Sequence, residues 1–293
     1  MPTGELAALA TALLWAFTGL FFAEAARRIG ALRVNLLRLP LALVLLTATM
    51  VLAGPAFATV NRHRVYYLAL SGIVGLVIGD LALFEALRRI GARLSLLVMA
   101  MAPIFASLAG LMLLKEQPGR TALLGIATTL AGVSWVVGER KAGEVSGHRE
   151  IPGVALAVVG AVCQGVGLVL AKIGMAGEMP ALTGTWVRMA AATSLIWTLT
   201  ALTGRVCALD VSGSVRRAWP FLLGGAVFGP FLGVWMSLVA ARHTDVGIAA
   251  TLMATTPVLV IPLLMATERY RPTARALTGT VVTLVGIALL FSS

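Results

Sequence analysis

The sequence predicts an all-α integral membrane protein of ten transmembrane helices, arranged as two five-helix repeats of inverted topology. Three observations carry that prediction. Apolar residues make up 59% of the chain and charged residues only 12%, with a mean hydropathy of +0.96. A water-soluble domain carries about twice that charge, so most of the surface must face lipid. Apolar runs of the length needed to cross hydrocarbon, about 20 residues, recur along the whole chain. Landmark residues also recur in the same order in both halves, at a nearly constant offset.

Reading apolar runs between charged punctuation places spans 1 to 10 at roughly 4–25, 31–53, 65–87, 92–114, 121–138, 152–174, 181–203, 217–241, 246–267 and 273–291. Span 1 is not a cleavable leader, because Met1 to Glu5 has no basic stretch and Glu5 is acidic. The longest polar stretch, Gly138 to Glu150, lies midway and reads as a linker. The organisation is therefore a first repeat over 1–138, a linker at 139–151 and a second repeat over 152–293.

The repeat is visible residue by residue. Arg38 in span 2 matches Arg188 in span 7 at an offset of 150, as do Gly75 and Gly79 with Gly225 and Gly229. Pro103 matches Pro257 at 154, as do Gly125 and Gly132 with Gly279 and Gly286, and Glu116 answers to Glu268. Five spans is an odd number, so the second half enters the membrane from the opposite face. That construction is typical of secondary transporters.

The net charge of +11 does not point to nucleic acid. The basic residues sit in short runs between spans, such as Arg27-Arg28, Arg88-Arg89, Arg140-Lys141 and Arg216-Arg217, where they anchor helices at headgroups and set topology. Loops on the side of the termini hold six basic residues and the opposite loops fifteen, which by the positive-inside rule places both termini outside the cytoplasm. Cys163 and Cys207 match no metal spacing, and His63, His148 and His243 fall in predicted loops. No catalytic or metal cluster and no GxxxxGK[ST] loop is present in the sequence. The expectation is a chain without cofactor, metal or enzymatic activity.

Together these features resemble the drug/metabolite transporter superfamily, in its EamA-type branch with two five-helix repeats. The resemblance rests on Trp15, Arg38, Ala86 to Leu97 (ALRRIGARLSLL), Pro103, Lys115-Glu116, Gly125 and Gly132 in the first repeat. In the second it rests on Arg188, Pro257, Glu268, Gly279 and Gly286. It implies a central cavity lined by spans 1–4 and 6–9, with spans 5 and 10 outside it. It also implies a multi-pass protein of the cell (inner or plasma) membrane, a secondary carrier that exports a small metabolite such as an amino acid. Both termini would then be cytoplasmic, which opposes the charge count. Relatives that export aromatic amino acids have an aromatic-rich cavity, whereas spans 3, 4 and 6 are mostly aliphatic here. Alternatives are a carrier of phosphorylated or nucleotide-linked sugars, which needs more basic residues than Arg38 and Arg188, and a membrane enzyme or scaffold for lipid-linked substrates. The partners expected are the bilayer and a small-molecule solute, in a monomer or a homodimer.

Particular residues sharpen these expectations. Asp80 is an intramembrane acid, read either as a proton or cation coupling site or as the partner of Arg38 at comparable depth. In such a pair it would stay charged, which argues against proton carriage. Arg38 and Arg188 either snorkel to the interface or recognise an anionic group, and Arg188 is the freer of the two because only Arg38 has an obvious acid nearby. Gln164 sits mid-span and either bonds another helix or lines the cavity. Trp15, Phe84 and Trp235 lie too deep for an interfacial belt, and Met99, Met101 and Met253 suit an adaptable wall. Pro103, Pro230, Pro257 and Pro262 interrupt helices, the first and third at matched positions. The glycines of spans 5 and 10, seven residues apart, are expected to join the two halves.

Overall fold

The computed structural model of this chain describes residues 2–53, 61–137, 150–177, 179–204, 213–268 and 273–292. Nearly all of the expected linker, together with His148 and Cys207, lies outside the described residues. So do the side chains of Arg88 and Glu268.

The first half consists of α1 (Thr3–Ile29), α2 (Ala31–Ala53), α3 (Arg62–Gly72), a π-helical stretch π1 (Ile73–Gly79), α4 (Asp80–Met99), α5 (Ala102–Leu114) and α6 (Arg120–Val137). The second repeats the series with α7 (Glu150–Gly174), α8 (Ala181–Leu202), α9 (Gly213–Ala226), π2 (Val227–Gly233), α10 (Val234–His243), α11 (Val246–Met253), α12 (Thr256–Glu268) and α13 (Ala274–Phe291). Among the described residues eight helices are long and apolar enough to cross a membrane. Of the two remaining spans, α8 has the length, at 22 residues, but carries Arg188 and a series of hydroxyl side chains. The other is divided between the end of α4 and the shorter apolar α5.

The neighbours of α7 show how α4 serves two spans. Along α7, Gly174, Gly167, Gly160 and Gly153 face Leu68, Gly75, Gly79 and Ile90 in turn, so residues 62–90 run antiparallel to it. Gly160 also faces Met99 and Gly165 faces Ala102 and Ala106, so the chain after Met99 runs parallel to α7. The reversal therefore lies between Ile90 and Met99. In the other half α1 is antiparallel to the α9–π2–α10 rod, with Phe22 at Gly225, Thr18 at Gly229 and Trp15 at Gly233. Each half thus lends its first span to the third span of the other. This exchange, with five spans per half, is the inverted arrangement the sequence predicts.

Two sequence expectations are corrected. Spans 4 and 9 are not single helices. Each is broken, between Met99 and Ala102 in the first half and between Met253 and Thr256 in the second. Pro103 and Pro257 are the second residue of the helix after each break, where the missing N–H costs nothing and the ring prevents the previous helix from running through. The turns are hydrogen-bonded alike: Met101 N donates to Val98 O at 3.0 Å and Ile104 N to Met101 O at 2.9 Å, while Thr255 N donates to Leu252 O at 3.2 Å and Val258 N to Thr255 O at 2.9 Å. The second correction concerns the glycines of span 3. The π stretches Ile73–Gly79 and Val227–Gly233 align at an offset of 154, so Gly75 and Gly79 answer to Gly229 and Gly233, four residues beyond the sequence pairing. Pro230 lies inside π2, and Pro262 lies within α12 without ending it.

The α6–α13 pair joins the halves away from the centre. A Cβ on Gly132 would collide with Thr283, and one on Gly286 with Thr129, so the two helices touch backbone to backbone along the glycine faces. Gly286→Leu is expected to lower stability in detergent by about 1–3 kcal/mol, the usual effect of overfilling a close contact. Val282→Leu, at a position 40% exposed on the same helix, should leave the thermal transition in place. Equal transitions for the two variants would contradict the contact.

Candidate functional site

The halves enclose a cavity of about 430 Å³. Trp15, Thr18, Arg38, Leu76, Asp80, Met99 and Pro103 line it from the first half, and Gln164, Arg188, Gly229, Pro230, Ser237, Met253, Thr256 and Pro257 from the second. All four backbone irregularities contribute to this wall: Leu76 from π1, Pro230 from π2, Ala100 from the first break and Ala254 from the second. Non-helical backbone at membrane depth is tolerated where it lines a cavity or is buried in protein.

A larger groove, about 690 Å³, lies on the face of the termini among His63, Tyr67, Leu113, Lys172 and Arg242. It too is lined by both halves, but at the helix ends, and its Lys172 is bonded to Glu116 and Thr244, so the central cavity is the candidate site.

The structure brings most of the sequence candidates into one wall. Trp15, Asp80, Met99, Pro103, Gln164, Arg188, Met253 and Pro257 all line the cavity, with Arg38 beside Asp80. Phe84 and Trp235 do not. The guanidinium of Arg38 lies over the Phe84 ring, 5.3 Å from its centre, and Trp235 packs on Phe231 at 6.2 Å. Depth along a span does not tell which way a ring points, and these two are used up as helix-packing groups. Met101 is 41% exposed, facing away from the cavity. Sequence reading missed Ser237, Thr256 and the π-helical residues, whose only sequence signal is their place beside Gly and Pro.

Asp80 and Arg188 are the most buried charged groups of the wall, at 7% and 4% exposure. Both oxygens of Asp80 have a partner: Arg38 forms a salt bridge to Oδ2, and Gln164 Nε2 donates to Oδ1 at 3.0 Å. Arg38 Nε in turn donates to Asn35 Oδ1 at 2.9 Å. A buried pair with its remaining polar groups satisfied is the arrangement in which a charge persists away from water. Arg188, by contrast, is held through its backbone. Gly72 allows α3 to lie against the Arg188 carbonyl, and a Cβ on Gly75 would come within 3.4 Å of Nη2. Burial of this kind is not a snorkelling position.

On the face of the termini a hydrogen-bond network ties the halves together. Lys172 Nζ bonds Glu116 Oε1 at 2.6 Å and Thr244 O at 2.7 Å. Val246 N donates to Glu116 Oε2 at 2.9 Å, and Thr244 Oγ1 donates to Glu5 Oε1 at 2.8 Å. Glu116 therefore pairs with a lysine across the seam. Asp245, in the loop before α11, stands beside this network. Burial, then the nearby Glu116 carboxylate, push its carboxyl above the ordinary value of 3.8.

Two predictions follow from these charges. Asp80→Asn should destabilise the protein by about 3 kcal/mol, because it leaves Arg38 buried without a counter-charge, and replacing both partners (Arg38→Met with Asp80→Leu) should recover most of the loss; thermal unfolding of the single and double variants measures both. The second concerns pH. A carboxyl raised by burial binds its proton more tightly in the closed seal than in an opened one. Its contribution to closure is therefore fully present below the ordinary carboxylate range and is lost as pH rises through the raised value. Spin labels at Gln117 and His243, both exposed, should report longer distances at higher pH over that window, and Asp245→Asn should abolish the response.

Comparison with known proteins agrees with this architecture. The EamA-like transporter family matches residues 2–138 and again 151–292. A protein of known crystal structure shares the fold with a TM-score of 0.77 over 98% of this chain and 95% of its own, at 20% sequence identity. No curated protein matches the chain. With both repeats matched and almost no residue left over, the chain belongs to the EamA-like transporter family, and it is a multi-pass membrane transporter of the drug/metabolite transporter superfamily.

Proposed function

We propose that this chain is a secondary carrier that moves a small amphipathic metabolite, about the size of an amino acid, by alternating access, with export as the direction the family resemblance implies. The observation that carries the reading is the seam cavity: both halves line it and it is mostly apolar with few polar contacts, while a hydrogen-bond network ties the halves together on the face of the termini. Solute sites that combine apolar walls with a few placed polar groups are the usual design of small-molecule pockets.

The two broken spans supply the flexibility this requires. Helix breaks leave a few residues able to absorb changes in φ and ψ, and both breaks lie in the cavity wall. Opening then needs the seal of Glu5, Glu116, Lys172 and Thr244 to part while the α6–α13 contact stays whole.

The test is flux in proteoliposomes. In a background with Cys163→Ser and Cys207→Ser, cysteines are placed by Glu5→Cys and Thr244→Cys. Oxidative cross-linking of the pair should stop movement of labelled solute, and reduction should restore it. Unimpaired flux across a cross-linked seal would rule out alternating access through this face. Chemical alteration of the solute without flux would rule out the carrier reading itself.

A further inference from the structure

We infer that Arg188 is a carboxylate-binding residue of the cavity, and that the solute it takes is a small organic anion with one carboxylate on a neutral, mostly apolar body, rather than a zwitterion. This deepens the carrier reading and rests on it for the role of the cavity.

The first support is charge. The charged side chains lining the cavity are Arg38, Asp80 and Arg188. Asp80 is bonded to Arg38 and acts on Arg188 only through space, so the three groups keep a net charge of +1 and Arg188 has no counter-ion of its own. It is 4% exposed, and among the described residues its Nε is buried without a hydrogen-bond partner. An unpaired buried guanidinium is costly, and a ligand that supplies the missing charge gains that energy on binding. The planar fork of arginine matches a carboxylate with two parallel hydrogen bonds.

The second support is the broken symmetry of the repeat. Arg38 and Arg188 are equivalent at an offset of 150, and the spans after them are equivalent at 154. Arg38 is surrounded by Asn35, Asp80 and Phe84. The equivalent positions in the second half hold Thr185, Val234 and Leu238. The acid has become a valine and the ring a leucine. Thr185 donates its hydroxyl hydrogen to Ala181 O at 2.8 Å and, being neutral, supplies no counter-charge. The fold thus builds the arginine site twice and supplies an internal counter-ion only once.

The third support separates an anion from a zwitterion. An α-ammonium group needs an acceptor close to the carboxylate site. Asp80, the carboxylate lining the cavity, already has its charge offset by Arg38 and accepts a further bond from Gln164, so an ammonium group gains little there. The rest of the wall includes Leu76, Leu168, Val234 and Met253, which suit an aliphatic body.

The experiment is binding by purified protein in detergent, read from tryptophan fluorescence (Trp15 lines the cavity) and from the rise in melting temperature. Four probes share one branched body: 4-methylpentanoate, 4-methylpentanamide, leucine and isopentyl phosphate. The carboxylate should bind roughly ten- to a hundredfold more tightly than the amide, the range expected for charge-assisted hydrogen bonds, and more tightly than leucine or the phosphate. Arg188→Met should melt at or above the wild-type temperature without ligand, since it removes an unpaired charge, and should lose the carboxylate-dependent rise. Arg188→Lys should keep the preference for anions with weaker binding. A flat response to all four probes, tighter binding of leucine or the phosphate, or an Arg188→Met variant that melts lower and still prefers the carboxylate would overturn the assignment. Binding as expected without flux in proteoliposomes would overturn the carrier reading and leave the carboxylate site standing; flux blind to the carboxylate would do the reverse.

Discussion

Hydrocarbon offers no hydrogen bonds, and this single constraint organises the molecule. Every backbone group in the bilayer must find its partner inside the protein, so long regular helices are the default. Departures from regularity are then informative. Here the described spans depart from it at two π stretches and two proline-marked breaks, and all of them meet at one cavity. The same constraint governs charge. Asp80 persists inside the membrane because Arg38 and Gln164 answer it, and at the helix ends Glu116 is answered by Lys172 and the Val246 amide.

The division of labour among helices follows from side-chain size. Where glycines face one another, on α6 and α13, helices close to backbone contact and form a rigid post outside the cavity. Where glycines of α7 and α9 face larger neighbours such as Leu68, Ile90 and Phe22, each half grips the first span of the other. Around the cavity itself medium-sized residues such as Met99, Met253 and Val234 leave space open.

Much of this was readable from the chain alone. Composition and run length gave the membrane class, and the Pro103/Pro257 and glycine pairs gave the repeat with its true spacing of 154. The span 3 glycines were paired four residues short because Gly225, Gly229 and Gly233 repeat every four residues, so two registers fit equally well in sequence. Only the π-helical backbone distinguishes them, and it shows that the loop before span 8 is the longer one. The Asp80–Arg38 pair was legible because both charges stand alone in apolar surroundings. The Glu116–Lys172 contact joins residues 56 apart through the packing of two halves, which no local pattern encodes. The places of Phe84 and Trp235 depend on helix rotation, which a uniformly apolar span does not reveal.

The substitution of valine for aspartate at the position equivalent to Asp80 has a thermodynamic consequence. A two-fold rotation in the membrane plane exchanges the surroundings of spans 2 and 7, but it cannot exchange their counter-ions. On the proposed alternating-access reading, two conformers related by that rotation therefore differ in energy, and the empty protein rests preferentially in one of them. The unmatched acid is one source of that bias, and moving it from one repeat to the other would push the bias the opposite way.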